Sequence, residues 1–98
     1  LYLRLLGEFQ RHYGDAARRV RTLLAEAREE EAAHIAHNVH GVAGSFGAEP
    51  LRRASAELER AIETQPGHVD RCLGSWEAAL RESLESAERI ARGEVTLP

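Results

Sequence analysis

Residues 32–46 read AAHIAHNVHGVAGSF. Within this stretch the apolar side chains recur at intervals of three and four residues, which is the spacing of one face of an α-helix. They are Ala32, Ile35, Ala36, Val39, Val42, Ala43 and Phe46. A helix with one continuous apolar face is stabilised when that face is buried against other elements. The stretch therefore predicts an amphipathic helix that packs against other helices.

Four further segments show the same helical spacing, and no segment alternates apolar and polar residues over more than a few positions. Because short connections place consecutive helices antiparallel to each other, we predict an all-α fold. It is an antiparallel up-and-down bundle with a four-helix core and about five helices in total. The apolar positions of these segments are Leu3, Leu6, Phe9 and Tyr13; Val20, Leu23, Leu24 and Ala27; Leu51, Ala54, Leu58, Ala61 and Ile62; and Val69, Cys72, Leu73, Trp76, Leu80, Leu84, Ala87 and Ile90.

Glycine, proline and aspartate mark the expected helix ends. Asp15 is suited to cap the helix that follows it. Gly47 is expected to end one helix, and Pro50 is expected to lie in the first turn of the next. The breaks fall at Gly14-Asp15, Gly47 to Pro50, Pro66-Gly67 and Gly93, with a softer boundary at residues 28–31.

The length and composition describe one small globular domain. The chain has 98 residues, of which 43% are hydrophobic and 30% are charged, which is sufficient for a single compact core. We expect one domain over residues 1–98, with residues 93–98 as a tail. The sequence contains no methionine, so we expect it to be part of a longer polypeptide.

The charge pattern excludes several classes of function. All 13 cationic side chains are arginine, so lysine chemistry such as Schiff-base formation is excluded. A net charge of −3 with interspersed signs argues against nucleic-acid binding. The single Cys72 cannot form an internal disulfide, which favours a reducing compartment. No apolar run is long enough to span a membrane, so we expect no direct membrane contact and a cytoplasmic location.

Three of the five histidines lie close together, at His34, His37 and His40. On a helical wheel, at about 100° per residue, His37 falls almost opposite the centre of the apolar face. We therefore expect it to point toward solvent or a partner. Gly41 and Gly44 lie beside it on the polar face, although each glycine destabilises a helix by roughly 1 kcal/mol relative to alanine. Without side chains, these positions leave room for a partner to approach the imidazole.

Two other interpretations of these residues stay open. Surface histidines are often only solvated, and helical glycines often serve close packing between helices. A metal site is the second interpretation, because histidines three residues apart share a helix face and Glu30 and Glu31 lie about a turn from His34. The histidines span a wide arc, however, and lack the His-x-x-x-His spacing of helical zinc sites. We therefore expect no specific metal site.

Residues 36–48 resemble the signature of histidine-containing phosphotransfer (Hpt) domains, Ala-His-x-Leu-Lys-Gly-x-Ala-Gly-x-Leu-Gly-Ala. Val39 and Phe46 are conservative replacements at its leucine positions. The resemblance covers essentially the whole chain, because Hpt domains are helical bundles of about this length with a four-helix core. The identical positions are Ala36, His37, Gly41, Ala43, Gly44, Gly47 and Ala48, and the downstream pattern fits at Leu51, Leu58, Glu59 and Ala61.

The resemblance implies a role in phosphorelay signalling. In the family, the histidine at the position of His37 is phosphorylated on Nε2 by a receiver-domain phosphoaspartate and passes the group to another receiver. A Gln or Glu some 22 positions downstream often accepts a hydrogen bond from Nδ1, and that count leads to Glu59. The docking surface is expected to include Asn38, Gly41, Val42 and Gly44, with Leu5 as a further apolar candidate.

The resemblance also implies the partners and the cofactors. The partner is a response-regulator receiver domain, which supplies Mg²⁺, whereas this domain holds no cofactor and acts as a phosphocarrier without catalysis of its own. Such modules commonly form the C-terminal part of hybrid sensor histidine kinases, which are often membrane-bound sensors with a cytoplasmic part. Most arginines are expected to pair with glutamates on helix faces, and Arg53 and Arg60 are candidates for a position near His37.

One position departs from the family pattern, since the usual lysine three residues after the phosphorylated histidine is His40 here. An imidazole contacts phosphate as a cation only when it is protonated, so we predict that phosphotransfer to His37 depends on pH more steeply than it would with lysine at this position. His40 is an alternative acceptor, although the offsets to Gly41 and Gly47 favour His37. Two other functions stay open: a receiver-docking module without phosphotransfer, and a metal or pH sensor built on the three histidines.

Overall fold

The computed structural model describes the backbone of residues 2–93, together with the side chains of residues 4, 7–90, 92 and 93. These residues form helices and short turns, which confirms the predicted all-α fold. The elements are α1 (Tyr2–Tyr13), α2 (Ala16–Ala25), α3 (Glu29–Phe46), α4 (Glu49–Thr64), a single 3-10 turn (Pro66–His68) and α5 (Val69–Ala91).

The connection between α3 and α4 follows the sequence signals closely. Gly47 adopts the left-handed conformation with φ of 69°, and Ala48 N–H donates to the carbonyl of Ala43 at 2.9 Å. This is a Schellman ending, which satisfies the last carbonyls of a helix. Pro50 lies in the first turn of α4. The tight connection makes α3 and α4 antiparallel neighbours, and they share the most extensive helix contact of the described residues.

The other helix breaks lie near the predicted positions, but the predicted roles of individual residues at these breaks are not always confirmed. Asp15 precedes α2, yet its side chain makes no capping hydrogen bond, and the predicted cap was wrong. Its carboxylate instead pairs with Arg18 at 2.8 Å. Ala27 was predicted to continue the apolar face of α2, but that helix ends at Ala25. Ala27 is exposed, with φ of 59°, in the turn that leads to α3.

Buried apolar residues from all five described helices form the core. Trp76 on α5 is fully buried, and its Nε1–H donates to Oγ of Ser55 on α4 at 2.9 Å. The buried hydroxyl is therefore satisfied by the indole, as a buried polar group requires. Cys72 is also buried. The largest other core residues are Phe9, Val20, Ile35, Val39, Leu51, Leu58, Leu73 and Leu80.

Helices α1 and α2 together form the fourth side of the bundle, because α1 packs on α5 and α2 packs on α3. The ring centroids of Phe9 on α1 and Phe46 on α3 lie 5.7 Å apart. Arg21 on α2 makes two hydrogen bonds to Glu77 on α5, at 2.9 and 2.6 Å. Within residues 2–93, the four-helix core with five α-helices is thus confirmed, in a body of 41 × 20 × 18 Å.

Some sequence predictions concern parts that the structure leaves undescribed. Of the predicted tail, residues 94–98 lie outside the described residues. The side chains of Leu3 and Leu6, on the predicted apolar face of the first helix, and of Leu5 also lie outside them. No helix within residues 2–93 is long and apolar enough to cross a membrane.

Candidate functional site

His37 lies on the solvent face of α3, near the middle of the helix. Its side chain keeps 62% of its surface accessible, whereas Ala36 and Val39 on either side of it are fully buried. The apolar face of α3 therefore fixes the rotation of the helix, and that rotation exposes the imidazole.

Glu59 on α4 reaches the ring of His37 from the neighbouring helix. Its carboxylate oxygens lie 3.3 and 3.2 Å from Nδ1 of His37. An ionised carboxylate can only accept a hydrogen bond, so Nδ1 carries the proton and Nε2 of the neutral ring holds the free electron pair. Glu59 is itself 25% exposed. The pair thus presents an exposed nitrogen nucleophile whose orientation is set by a more buried carboxylate.

The two glycines beside His37 are not required by packing within the described residues. A methyl group at Gly41 would meet no atom within 4 Å. At Gly44 it would lie 3.7 Å from Cδ of Arg52, which is an ordinary contact. Both positions are exposed. The interpretation of these glycines as helix-packing residues was therefore wrong, and the bare backbone faces outward.

His40 lies on the same helix, between His37 and the start of α4. Its ring centroid is 6.5 Å from that of His37, and the residue is half-buried. Hydrogen bonds from Arg52 lower the pKa of the Glu49 carboxyl, and the charges of Arg53 and His40 lower it further. His40 thus lies between the candidate nucleophile and a group of charged side chains at the start of α4.

Arg52 was not singled out from the sequence, yet it lies against the candidate site. Its Nε donates to Glu49 at 2.8 Å, and its Nη2 also donates to Glu49. The helix register gives the signal for it. Because α3 and α4 are antiparallel, the residue seven positions after His37, Gly44, lies near the residue seven positions before Glu59, which is Arg52. Arg53 is held less closely than Arg52, because its Nη2 lies 3.9 Å from Oε1 of Glu49 and its side chain is 69% exposed.

The chain matches the Hpt domain family over residues 4–90. It belongs to that family. The match covers the whole of α2 to α4 and nearly all of α1 and α5, so it includes every candidate residue of this site. Comparison with curated proteins gives no match, and neither does comparison with solved structures.

Hpt domains act in histidine phosphotransfer within the phosphorelays of two-component signalling. They interact with the receiver domains of response regulators, and as a family they carry no cofactor. The fold and general function expected from the sequence resemblance are thereby confirmed at the level of the family.

The remaining predicted docking residues of this Hpt domain lie on the α1 side of His37. Asn38 is exposed and Val42 is half-buried. Val42 lines a cleft of about 290 Å³ between α1 and α3. The other lining residues are Glu8, Phe9, His12, Tyr13, Ser45 and Phe46. The cleft is predominantly aromatic and apolar, so it offers an apolar edge to the exposed face of α3.

A second groove, of about 610 Å³, lies on the α4 side of His37. Half of its lining residues are glutamates, and the full lining consists of Glu29, Glu30, Ala33, His34, His37, Glu59, Ile62 and Glu63. Within residues 2–93, no three His, Cys, Asp or Glu side chains are grouped so that they could hold a metal ion. Glu31, one of the carboxylates considered for such a site, accepts a hydrogen bond from Arg28 at 2.8 Å instead.

Proposed function

We propose that His37 of this Hpt domain accepts a phosphoryl group from the phosphoaspartate of a receiver domain and passes it to another receiver. The observation that supports this most directly is the hydrogen bond between Nδ1 of His37 and Glu59. It leaves Nε2 unprotonated on an exposed ring, which is the state a nucleophilic imidazole needs. The bare backbone at Gly41 gives a docking partner access to that nitrogen.

The transfer balances without any proton leaving His37. Nε2 attacks the phosphorus of the phosphoaspartate, an N–P bond forms, and the P–O bond to the aspartate breaks to leave a free carboxylate. Because Nδ1 keeps its proton, the phosphorylated ring gains a positive charge. The carboxylate of Glu59 stabilises that charge, as the aspartate of a catalytic triad stabilises its imidazolium. Transfer to a second receiver reverses these bond changes.

The partner supplies the remaining chemistry. A receiver domain with bound Mg²⁺ would neutralise the phosphoryl oxygens during transfer, so this chain needs to supply only the nucleophile and the docking surface. Asn38, Gly41, Val42 and Gly44 form that surface in our proposal, with Val42 contributing the edge of the α1–α3 cleft.

His40 would supply the cationic contact that a lysine supplies in the family pattern. Its ring lies 6.5 Å from the ring of His37, close enough for a phosphoryl group on Nε2 to approach both. We place the domain in the cytoplasm as the phosphocarrier part of a sensor histidine kinase. The function of receiver domains supports that location, and so does the single Cys72, which cannot form an internal disulfide.

Labelling with a phosphorylated receiver tests the proposal. A panel of receiver domains is phosphorylated with radiolabelled acetyl phosphate, freed of the small molecule, and incubated with the wild-type chain and with variants. The proposal expects a label that is stable in base and labile in acid. It expects the label to be lost in His37→Gln and only weakened in His40→Gln. A label that persists in His37→Gln, or disappears only in His40→Gln, would overturn the assignment of His37.

A docking module without phosphotransfer is the second candidate, and the replacement of the family lysine by His40 favours it. The same panel separates the two functions, because such a module would bind a receiver without acquiring label. Binding is measured by titration of each receiver in its unphosphorylated and phosphorylated states.

A further inference from the structure

The guanidinium of Arg52 is held in place but retains free hydrogen-bond donors. Its Nε and Nη2 groups donate to the two carboxylate oxygens of Glu49, an arrangement that fixes the plane of the guanidinium. A guanidinium carries five N–H groups, so three remain for another acceptor. The side chain is 41% exposed, which makes those groups accessible to a partner.

The charged side chains at the start of α4 have a net positive charge, although Arg52 is paired with Glu49. Glu49 contributes one negative charge, whereas Arg52 and Arg53 contribute two positive charges, so the three side chains together carry a net charge of +1. The groove on the other side of His37 is instead lined by Glu29, Glu30 and Glu63. A partner that covers the α3–α4 face would therefore meet opposite charges at its two ends.

The position of Arg52 relative to His37 is set by α3. Cδ of Arg52 lies beside Gly44, which follows His37 by seven residues on the same face. Seven residues span about 10 Å along a helix axis. Between the two positions lies Gly41, also without a side chain. A docking surface can thus lie flat against α3 from the imidazole to the guanidinium.

Arg52 is not directed toward the reacting nitrogen. Its guanidinium is bound to Glu49, which precedes it on α4, whereas Glu59, the partner of His37, follows it by seven residues. Arg52 therefore points away from His37 along α4. Its charge is available to the partner's surface rather than to the phosphoryl group.

We infer that Arg52 is a specificity-determining residue of the docking surface, which binds an acidic side chain of the receiver at least about 10 Å from the receiver's phosphoaspartate, measured along α3. This inference rests on the proposed phosphotransfer function and names the charge that the partner must carry. Glu49 orients the guanidinium before binding, so the partner's carboxylate meets a fixed donor group. Preorganised groups of this kind improve binding by reducing the ordering that binding requires.

The test separates docking from chemistry through concentration dependence. Initial rates of phosphotransfer to His37 are measured against receiver concentration for the wild-type chain, Arg52→Gln and Arg81→Gln. Arg81 is the matched control, because it is an exposed arginine on α5 that lines a groove against α1 and α2, away from the α3–α4 face. Thermal melting checks that all three chains are folded.

We expect Arg52→Gln to raise the apparent KM about two- to fivefold, as for the loss of one exposed charge pair, with an unchanged maximal rate. Added salt should raise the KM of the wild type more steeply than that of Arg52→Gln, and Arg81→Gln should behave as the wild type. An unchanged KM in Arg52→Gln, or a fall in the maximal rate alone, would overturn the docking role. Absence of label in the wild type would overturn the proposed function itself.

Discussion

The two ring nitrogens of His37 have different surroundings, and this difference defines the site at the level of single residues. Nδ1 lies 3.3 and 3.2 Å from the two carboxylate oxygens of Glu59, whereas the ring as a whole is mostly exposed. One nitrogen is thus committed to holding a proton. The other is left with its electron pair toward the solvent, where a phosphoryl donor can reach it.

Replacement of Glu59 tests how much this orientation matters. Glu59→Ala removes the acceptor and the negative charge, and we expect the rate of phosphotransfer to His37 to fall about 10- to 100-fold, the loss typical of carboxylates that orient a metal-bound histidine. Glu59→Gln keeps an acceptor oxygen but loses the charge, so its rate should lie between those of Glu59→Ala and the wild type. Single-turnover labelling at saturating receiver measures the three rates.

Glu57→Ala is the matched control for this series, because Glu57 is an exposed glutamate two residues away on α4. It should transfer at the wild-type rate. If Glu59→Ala also transfers at that rate, Glu59 has no role in orienting His37.

The replacement His40→Lys tests the source of positive charge beside His37. An ammonium stays charged between pH 6 and pH 8, whereas imidazole is the side chain whose charge changes near neutral pH. His40 faces the ring of His37 on α3 and the carboxylate of Glu49 on α4. We expect the transfer rate of the wild type to fall more steeply with rising pH than that of His40→Lys. Parallel profiles from pH 6 to 8 would rule out this role for His40.

At the level of elements, α3 contains two glycines that its own packing does not need. Glycine in a helix interior is less stable than alanine by roughly 0.5–1 kcal/mol, and the space at Gly41 is open. With glycine at these two positions, α3 is less stable than it would be with alanine. The destabilising positions lie on the same surface that gives access to Nε2 of His37.

Gly41→Ala should therefore separate stability from function. We expect the free energy of unfolding to rise by about 0.5–1 kcal/mol and the melting temperature by about 2–8 °C. Transfer to His37 should slow, because the added methyl group lies where the receiver approaches. Thermal melting and labelling rates measure the two effects.

Gly74→Ala on α5 provides the control for this substitution. Gly74 is exposed within a helix interior, and a methyl group there would also meet no atom within 4 Å. It should stabilise the domain to a similar degree without changing the transfer rate. Full transfer by Gly41→Ala would show that the receiver does not need the bare backbone.

The helices differ in how far their ends could be predicted from sequence. The end of α3 at Gly47 and the start of α4 near Pro50 are local events, since each depends on the conformational preference of one residue. The left-handed conformation of Ala27 and the lack of a capping hydrogen bond at Asp15 could not be predicted in this way. Asp15 found an arginine three residues away instead of a backbone donor, and no local pattern decides that choice.

At the level of the whole molecule, the bundle is centred on one aromatic residue. Trp76 is fully buried, and its indole hydrogen bond to Ser55 joins α5 to α4 across the core. Because Trp76 is the single tryptophan of the chain, its fluorescence reports on the packing of the entire bundle.

Ser55→Ala should destabilise the domain by about 1–3 kcal/mol, because the buried indole N–H loses its acceptor. Denaturant unfolding followed by Trp76 fluorescence measures this loss. Ser75→Ala, at an exposed position of α5, should leave the unfolding free energy nearly unchanged. Equal stability of Ser55→Ala and the wild type would mean that the indole finds another acceptor.

The tertiary relations of the site were predictable only in part. The exposure of His37 followed from the apolar periodicity of α3, whereas its pairing with Glu59 was expected from the family resemblance and not from spacing alone. The contact between Arg52 and Gly44 was missed, because it depends on the register between α3 and α4 and on the direction of a long side chain. Such contacts are determined by packing across the α3–α4 interface, so they cannot be predicted from the sequence of either helix alone.

The hairpin of α3 and α4 has a consequence for how the domain can be inherited and reused. His37, Glu59, Gly41 and Arg52 all lie between the start of α3 and the end of α4, within residues 29–64. A recombination event that transferred this contiguous stretch would carry the nucleophile, its orienting carboxylate and the charged docking contact together. Variation in α2 and α5 could then accumulate under selection for packing alone, while the nucleophile, its orienting carboxylate and the charged docking contact are inherited together.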